Sequence, residues 1–133
     1  MKLGMVTYNL GNSWDIPTII KNCTETGFEG VELRTTHAHG VEVELSKDER
    51  AQVKKTFADS PIELAGLGST FEYHSDDPDE LRSNIEGTKE YTVLAADVGS
   101  PGVKVRPNGK PEGVPIEKTI EQFVTAAKIA HNA

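Results

Sequence analysis

The sequence predicts an α/β fold of four consecutive βα units, whose parallel sheet forms half of a (βα)₈ barrel of the TIM type. Short apolar segments typical of strands alternate with longer segments whose apolar residues recur at helical spacing. The strand-like segments begin near residues 2, 30, 62 and 102, at intervals of 28, 32 and 40 residues. Each interval leaves room for one helix between successive strands, as parallel pairing requires.

The first unit combines a short apolar strand with an amphipathic helix. The strand covers residues 2–8, and apolar residues at helical spacing follow over residues 16–23. Ser13 or Asp15 is placed to accept hydrogen bonds from the free N–H groups at the start of the helix. Gly27 suits the left-handed residue that commonly ends a helix.

The second unit has a strand over residues 30–34. Its helix is signalled by Ser46 and Glu49, whose spacing is that of a capping box, and it extends to about Asp59. These signals place the helix start within the loop that follows the strand.

The third and fourth units repeat the arrangement. A strand over residues 62–67 is followed by a helix that Asp77 opens and Gly99 ends. The fourth strand covers residues 102–106, and the last helix covers residues 116–133.

Alternation of side chains along the strands indicates a barrel rather than a doubly wound sheet. In the second strand Val31 and Leu33 share one face, whereas Glu32 and Arg34 share the other. The fourth strand repeats this pattern in residues 103–106 (VKVR). Because consecutive right-handed crossovers place every helix on the same side, the apolar face is expected under the helices and the charged face inside a barrel.

The interior charges leave two interpretations open. Alternate strands of a barrel share interior layers, so we expect Glu32 near the height of Lys104 and Arg34 near the height of Arg106. These side chains form either a structural network of ion pairs or a ligand-binding site, since both arrangements need charged groups in such positions.

The chain is long enough for one domain, residues 1–133, but short for a complete barrel. A closed barrel of this type takes ~250 residues and eight strands. The sequence therefore predicts a single partial domain. Three alternatives follow: a truncated part of a longer protein, two copies that close one barrel, or an open sheet whose free edges invite association.

Composition excludes several classes of function. The net charge of −7 disfavours nucleic acid as a partner, because the phosphate backbone would be repelled. No apolar run approaches the ~20 residues of a membrane span. The single cysteine, Cys23, cannot form an internal disulfide. Together with the lack of signal-peptide features at the amino terminus, it predicts a cytoplasmic protein.

Candidate functional residues cluster where the strands end, which is where active sites lie in such barrels. Three of the four histidines occur there, able to bind a metal, transfer protons or hold a hydroxyl group. The loop pair His37 and His39, and likewise Glu72 with His74, could instead be solvated or anchor the loops. The full set is Asn9, Trp14, Glu32, Arg34, His37, His39, Ser69, Glu72, His74, Arg106 and Asn108.

Lys104, Arg106 and Lys110 form a local basic group in an acidic chain. Arg106 could grip the phosphate or carboxylate of an anionic sugar in a bidentate manner. Alternatively, Lys104 neutralises Glu32 and Lys110 is solvated. The glycine-rich segment 66–70 (GLGST) lacks the third glycine and the helix start of a dinucleotide site, so it does not predict a nucleotide cofactor.

Three segments resemble the xylose isomerase-like sugar phosphate isomerase/epimerase family. They are residues 27–40 (GFEGVELRTTHAHG), residues 65–75 (AGLGSTFEYHS) and residues 102–109 (GVKVRPNG). The resemblance covers essentially the whole chain but only the amino-terminal half of the family's barrel.

The resemblance implies a metal-dependent enzyme that moves a hydrogen between adjacent carbons of a sugar or sugar phosphate. In the family a divalent metal (Mn, Mg, Co or Zn) holds neighbouring oxygens, and carboxylates move the proton or assist a hydride shift. Its metal ligands and acid/base glutamates come mainly from later strands, so no metal or catalytic residue is assigned here, and no cofactor is expected for this chain alone. The substrate-side residues would be Glu32, Arg34, His37, His39, His74 and Arg106. A non-catalytic carbohydrate-binding or self-assembling half barrel, such as a homodimer, is the alternative.

Overall fold

The computed structural model describes residues 1–106 and 114–133. Strands and helices alternate along these ranges in the predicted order. Asn108 and Lys110 lie outside the described residues. The elements are β1 (Gly4–Val6), α1 (Ile16–Thr26), β2 (Gly30–Arg34), α2 (Lys47–Ala58), β3 (Glu63–Glu72), α3 (Pro78–Val98), β4 (Val103–Arg106) and α4 (Ile116–His131).

The four strands form one parallel sheet in the order β1, β2, β3, β4. Val31 of β2 pairs with Met5 of β1 on one side and with Leu64 of β3 on the other. Each strand therefore neighbours the next one along the chain, and each intervening helix makes the crossover between adjacent strands. The prediction of four parallel βα units is confirmed.

The hydrophobic core lies between the helices and one face of the sheet. Val31 and Leu33 are 0% and 1% exposed, whereas Glu32 and Arg34 are half-buried on the opposite face. The predicted separation of an apolar and a charged face is confirmed, because side chains of a strand alternate with a period of two. The helical residues of this core are Ile19, Cys23, Val53, Phe57, Tyr91, Leu94, Ala95 and Val98.

The helix ends carry the signals that the sequence contains. Asp15, Ser46 and Asp77 each accept a backbone hydrogen bond at the start of α1, α2 and α3. Ser46 and Glu49 form the predicted capping box. Helices α1 and α3 both end at a glycine, with φ of 80° and 78°, values that L-residues rarely adopt. No helix within residues 1–106 and 114–133 has the length and apolarity that crossing a membrane requires.

The first and third strands differ in length from the prediction. β1 covers only Gly4–Val6, because it is an edge strand that pairs with β2 alone. β3 continues past Leu67 to Glu72, since it pairs with β4 on both sides of a register shift between Gly68 and Glu72. The extension brings Glu72 to the carboxyl end of the sheet, opposite Arg106.

Apolar residues at helical spacing predict α4, and three of them, Ile116, Ile120 and Val124, are exposed, at 69%, 54% and 41%. The helix instead buries Thr119, Gln122 and Ala126. Helical periodicity thus identifies the element, whereas the direction of its apolar face depends on which neighbours are present.

Candidate functional site

Charged side chains from β2 and β4 lie on the face of the sheet opposite the helices, at the positions between the core residues. The strand between them carries glycine at the facing positions: Gly66 pairs with Glu32, and Gly68 pairs with both Arg34 and Lys104. Glycine leaves space above β3 for long side chains from the two neighbouring strands to meet. The charged residues are Glu32, Arg34, Lys104 and Arg106.

Glu32 and Lys104 form an ion pair across β3. A Cβ atom on Gly68 would lie 2.7 Å from Oε1 of Glu32, so the carboxylate occupies the space that a side chain at this position would take. The structural alternative, in which Lys104 neutralises Glu32, describes this pair. The carboxylate of Glu32 and the ammonium group of Lys104 therefore neutralise each other.

Glu72 connects Arg106 with His74 at the carboxyl ends of β3 and β4. Its Oε1 lies 2.9 Å from Nη2 of Arg106, and its Oε2 lies 3.6 Å from Nδ1 of His74. Nδ1 of His74 and Nε of Arg106 are buried and have no hydrogen-bond partner among residues 1–106 and 114–133. Buried nitrogens in this state are rare in folded proteins, so this cluster is a candidate for further polar contacts.

Arg34 is held by contacts of a different kind. Its guanidinium carbon lies 5.0 Å from the ring centroid of Tyr8, a cation–π geometry, and its Nη1 donates to the carbonyl of Ser69 at 3.4 Å. The stacking and this hydrogen bond place the guanidinium at the carboxyl ends of β1 to β3.

The fully buried Thr7 orients His37. The Thr7 hydroxyl accepts a hydrogen bond from the backbone N–H of Arg34 at 3.0 Å and lies 3.1 Å from Nδ1 of His37. The hydroxyl hydrogen takes no part in the bond from Arg34. When it is donated to Nδ1, Nε2 of His37 carries the ring proton and is left to donate to a ligand.

His39 anchors the loop that follows β2. Its Nε2 bonds to the carbonyl of Arg34 at 2.8 Å, and its Nδ1 accepts from the N–H of Val41 at 3.0 Å. Burial lowers the pKa of His39, which favours the neutral ring that accepts from Val41. Because backbone groups take both ring nitrogens, neither is left for a substrate hydroxyl in this conformation.

A hydrogen-bonded clasp fixes the same loop to α3, and sequence reasoning missed it. Oε2 of Glu42 accepts from Tyr91 and from the hydroxyl of Thr35, and Oε1 accepts from the N–H of Thr36 at 2.6 Å. Thr36 has a φ of 66°, which this contact helps to hold. Burial and the adjacent Glu42 carboxylate raise the pKa of Tyr91. The only sequence signals were a Glu in a loop and a Tyr on a helix.

The described residues offer no group of three or more His, Cys, Asp or Glu side chains placed to hold a metal ion. The glycine-rich residues 66–70 lie inside β3 and do not start a helix. The site is therefore made of two polar groups at the strand ends, one around Arg34 and His37, the other around Glu72, His74 and Arg106, with the Glu32–Lys104 pair between the same strands.

The chain is similar to known proteins in structure but not in sequence. No family model matches the chain, and no curated protein matches it in sequence. Among solved structures it is similar to the IolI protein with a zinc atom, at a TM-score of 0.74 and 15% identity over 98% of this chain and 48% of that one. It is also similar to a fusion of a xylose isomerase-like TIM barrel with 4-hydroxyphenylpyruvate dioxygenase, at a TM-score of 0.73 and 19% identity over 99% of this chain and 20% of the fusion.

The fold is half of a TIM barrel, similar to the xylose isomerase-like barrel of that fusion protein. This half barrel is also similar to D-psicose 3-epimerase in the presence of D-fructose, at a TM-score of 0.74 and 19% identity over 99% of this chain and 49% of the epimerase. The probable 3-DHS dehydratase AsbF from Bacillus anthracis matches at a TM-score of 0.71 and 15% identity, again over 49% of its length. The chain thus spans about half the length of three of these barrels.

Proposed function

We propose that the chain is the amino-terminal portion of a metal-dependent sugar or sugar phosphate isomerase or epimerase, with residues 1–133 as one partial domain. The observation that carries the proposal is the polar face of the sheet. Ion pairs, an arginine and histidines lie on this face and at the carboxyl ends of its strands, in a fold shared with D-psicose 3-epimerase. A small polar substrate fits this surface better than an apolar one.

The described residues do not fit a metal centre, since no three potential ligands converge among them. The proposal therefore places the divalent metal and the acid/base carboxylates in four further βα units and expects this chain alone to be inactive. The zinc of the IolI structure is consistent with a metal in the complete barrel.

The role that remains for this half is to bind and orient the substrate. Arg34 and His37 supply hydrogen-bond donors beside β2, and the Glu72 cluster, with His74 and Arg106, supplies polar contacts beside β3 and β4. Glu32 contributes by its ion pair with Lys104, which fixes both side chains above β3. His39 contributes by anchoring the loop that carries His37.

The 133-residue chain is titrated with D-fructose and with D-fructose 6-phosphate, and binding is monitored by amide chemical shifts in NMR spectra. A separate titration uses Mn²⁺. We expect sugar-induced shifts at Arg34, His37, His74 and Arg106, no tight Mn²⁺ binding and no turnover. His131, exposed on α4, provides a matched control as His131→Gln, which should leave the sugar shifts unchanged. Shifts confined to other surfaces, or turnover by this chain with Mn²⁺, would contradict the proposal.

The second candidate is a non-catalytic half barrel that assembles with itself. The observation in its favour is that no other strand of the described part of the chain pairs with the outer edge of β1 or β4, and that apolar side chains near these strands are exposed. Edge strands of this kind pair readily with other strands, and two copies would supply the eight strands of a barrel. The exposed side chains are Leu3, Val6, Tyr8 and Leu10 near β1, and Ile116, Ile120 and Val124 on α4.

Light scattering coupled to size exclusion separates the two candidates. A stable dimer that Ile120→Lys converts to monomer favours the self-assembling half barrel, because Ile120 lies in the exposed stripe. A monomer, or polydisperse aggregation through the free edges, favours a chain that is completed by further units. We place either form in the cytoplasm, on the basis of the single buried cysteine.

A further inference from the structure

Thr36 is the one residue other than glycine with a left-handed backbone within residues 1–106 and 114–133, at a φ of 66°. An L-residue is strained in this region because its Cβ approaches the following carbonyl oxygen, and a β-branched side chain is among the least suited to it. Backbone strain of this kind persists where the surrounding structure enforces it, and it is concentrated at functional sites.

The strained residue lies between the sheet and His37. Thr35 still bonds to the sheet, since its N–H donates to the carbonyl of Gly68 at 2.8 Å. His37 follows Thr36 directly, and its Nδ1 lies 3.1 Å from the hydroxyl of Thr7. Because a single left-handed residue changes the direction of the chain, the conformation of Thr36 determines where the ring of His37 lies.

The carboxylate of Glu42 holds Thr36 in this conformation. Its Oε1 accepts from the N–H of Thr36 at 2.6 Å, and its Oε2 accepts from Tyr91 and from the hydroxyl of Thr35 at 3.0 Å. Hydrogen bonds to an ionised acceptor are roughly twice as strong as neutral ones. Tyr91 is 6% exposed and packs in the core, so the carboxylate is anchored to α3 as well as to the loop.

Other backbone hydrogen bonds of this loop lie after Thr36 in the chain. The N–H of Ala38 donates to the carbonyl of Asn12 at 2.9 Å, and the N–H of Gly40 donates to the carbonyl of His37 at 3.1 Å. Both bonds require the chain to have turned at Thr36. The contact between the Thr36 N–H and the carboxylate therefore supports the part of the loop that follows it.

We infer that Glu42 is a positioning residue for the proposed substrate site: its carboxylate holds Thr36 in the left-handed conformation and thereby fixes the ring of His37 against Thr7. Tyr91 contributes by anchoring the carboxylate to α3. The inference rests on the proposed function where it treats His37 as a substrate-side residue. The loop geometry that it assigns to Glu42 is measured separately from sugar binding.

The first experiment follows the loop itself in NMR spectra of the wild type, Glu42→Ala and Glu42→Gln. It measures amide hydrogen exchange at Ala38 and nuclear Overhauser effects (NOEs) between the His37 ring and the Thr7 side chain. Glu42→Ala should speed the exchange about tenfold and weaken these NOEs, because the strained threonine relaxes once its N–H loses the carboxylate. Glu42→Gln keeps one accepting oxygen and should change both readouts less.

The decisive variant adds Thr36→Gly to Glu42→Ala. Glycine adopts a positive φ without strain, so exchange and NOEs should return to within about twofold of the wild type. Thr36→Ser in the same background keeps the Cβ and the hydroxyl and should restore neither readout. Glu44→Ala, which removes an exposed carboxylate from the same loop, is the matched control and should leave the wild-type values unchanged.

The second experiment measures the affinities of the same variants for D-fructose and D-fructose 6-phosphate from NMR shifts. Affinity for the sugar that binds should fall at least about threefold in Glu42→Ala and recover with Thr36→Gly, because only the ordered form of the loop presents His37. Circular dichroism and urea midpoints establish that each variant is folded. If Glu42→Ala proves unfolded, Glu42→Gln with and without Thr36→Gly takes its place.

The possible results separate this inference from the proposed function. If Glu42→Ala leaves exchange and NOEs unchanged, or if glycine at position 36 restores neither, Glu42 only ties the loop to α3 and the inference is refuted. It is also refuted if the loop responds as expected while sugar affinity does not change. If the loop responds and glycine rescues it but neither sugar binds the wild type, the positioning of His37 by Glu42 stands while the sugar function fails.

Discussion

Alanine at Gly68 is expected to separate Glu32 from Lys104. Gly68 is not among the glycines with positive φ, so its backbone accepts a side chain. The added Cβ would lie 2.7 Å from Oε1 of Glu32 and 3.6 Å from Cα of Arg34. Because Oε1 is the end of a flexible side chain, the carboxylate moves away and the sheet stays in place.

The magnitude follows from the exposure of the pair. The side chain of Glu32 is 20% exposed and that of Lys104 is 47% exposed, which places the pair between surface and buried ion pairs. We assign about 1 kcal/mol to the loss of this pair, closer to the surface limit because of the solvent around Lys104. The lower entropy of the unfolded chain with alanine offsets about 0.4–1 kcal/mol of that loss.

The assay is urea unfolding of the wild type, Gly68→Ala, Glu32→Ala and the double variant. Gly68→Ala should be nearly neutral or slightly destabilising in the wild type but stabilising by about 0.5 kcal/mol when Glu32 is alanine. The difference between the two backgrounds should be about 1 kcal/mol, which is the coupling energy of the cycle.

Gly66→Ala is the matched control in the same strand. Its Cβ would meet Cγ of Glu32 at 3.8 Å, an ordinary van der Waals contact, so its effect should be the same in both backgrounds. If Gly68→Ala changes the free energy of unfolding equally in the wild type and in Glu32→Ala, within about 0.3 kcal/mol, the placement of the Glu32 carboxylate above β3 is refuted.

Three further outcomes follow from the packing. Leu33→Ala should lower the free energy of unfolding by about 2–5 kcal/mol, because Leu33 is 1% exposed, whereas Val93→Ala at 38% exposure should cost far less in the same denaturation assay. Tyr91→Phe should cost about 1 kcal/mol in that assay, since the hydroxyl bonds to Glu42 and Thr35. Folding lowers the pKa of His39 from its ordinary value of 6.5. The unfolded chain therefore binds the proton more strongly, and stability should be complete above that value and fall as the pH drops below it. Urea midpoints across this range should show the decline in the wild type and a smaller one in His39→Gln.

The order of helices and strands could be predicted from the sequence because each signal depends on residues close together in the chain. The spacing of apolar residues identified α1, α3 and α4, whereas the capping box of Ser46 and Glu49 identified α2, and Asp77 marked where α3 starts. The alternation in residues 30–34 and 103–106 was sufficient to assign the two faces of the sheet. Strand lengths were less predictable: β3 reaches Glu72 because β4 lies beside it, which no pattern within β3 encodes.

The candidate site was predicted as a location rather than as a set of contacts. Strand-end position selected Arg34, His37, His74 and Arg106, and the structure places them at that end of the sheet. The sequence did not reveal that Glu72 forms an ion pair with Arg106, or that backbone groups bond to both ring nitrogens of His39. Sequence reasoning also passed over Thr7, whose hydroxyl links Arg34 to His37, since a threonine in a short apolar strand carries no signal of its own.

By itself, the sequence determined the order of the elements, the faces of the strands and the acidic charge of the chain, because these depend on neighbours a few residues apart. Tertiary structure alone decided which charges cancel and which side chains meet. The Thr7–His37 contact spans 30 residues of chain, the Tyr91–Glu42 bond spans 49, and the Glu32–Lys104 pair spans 72. Such pairings exist only once the parallel strands have been brought side by side, so composition and periodicity cannot encode them.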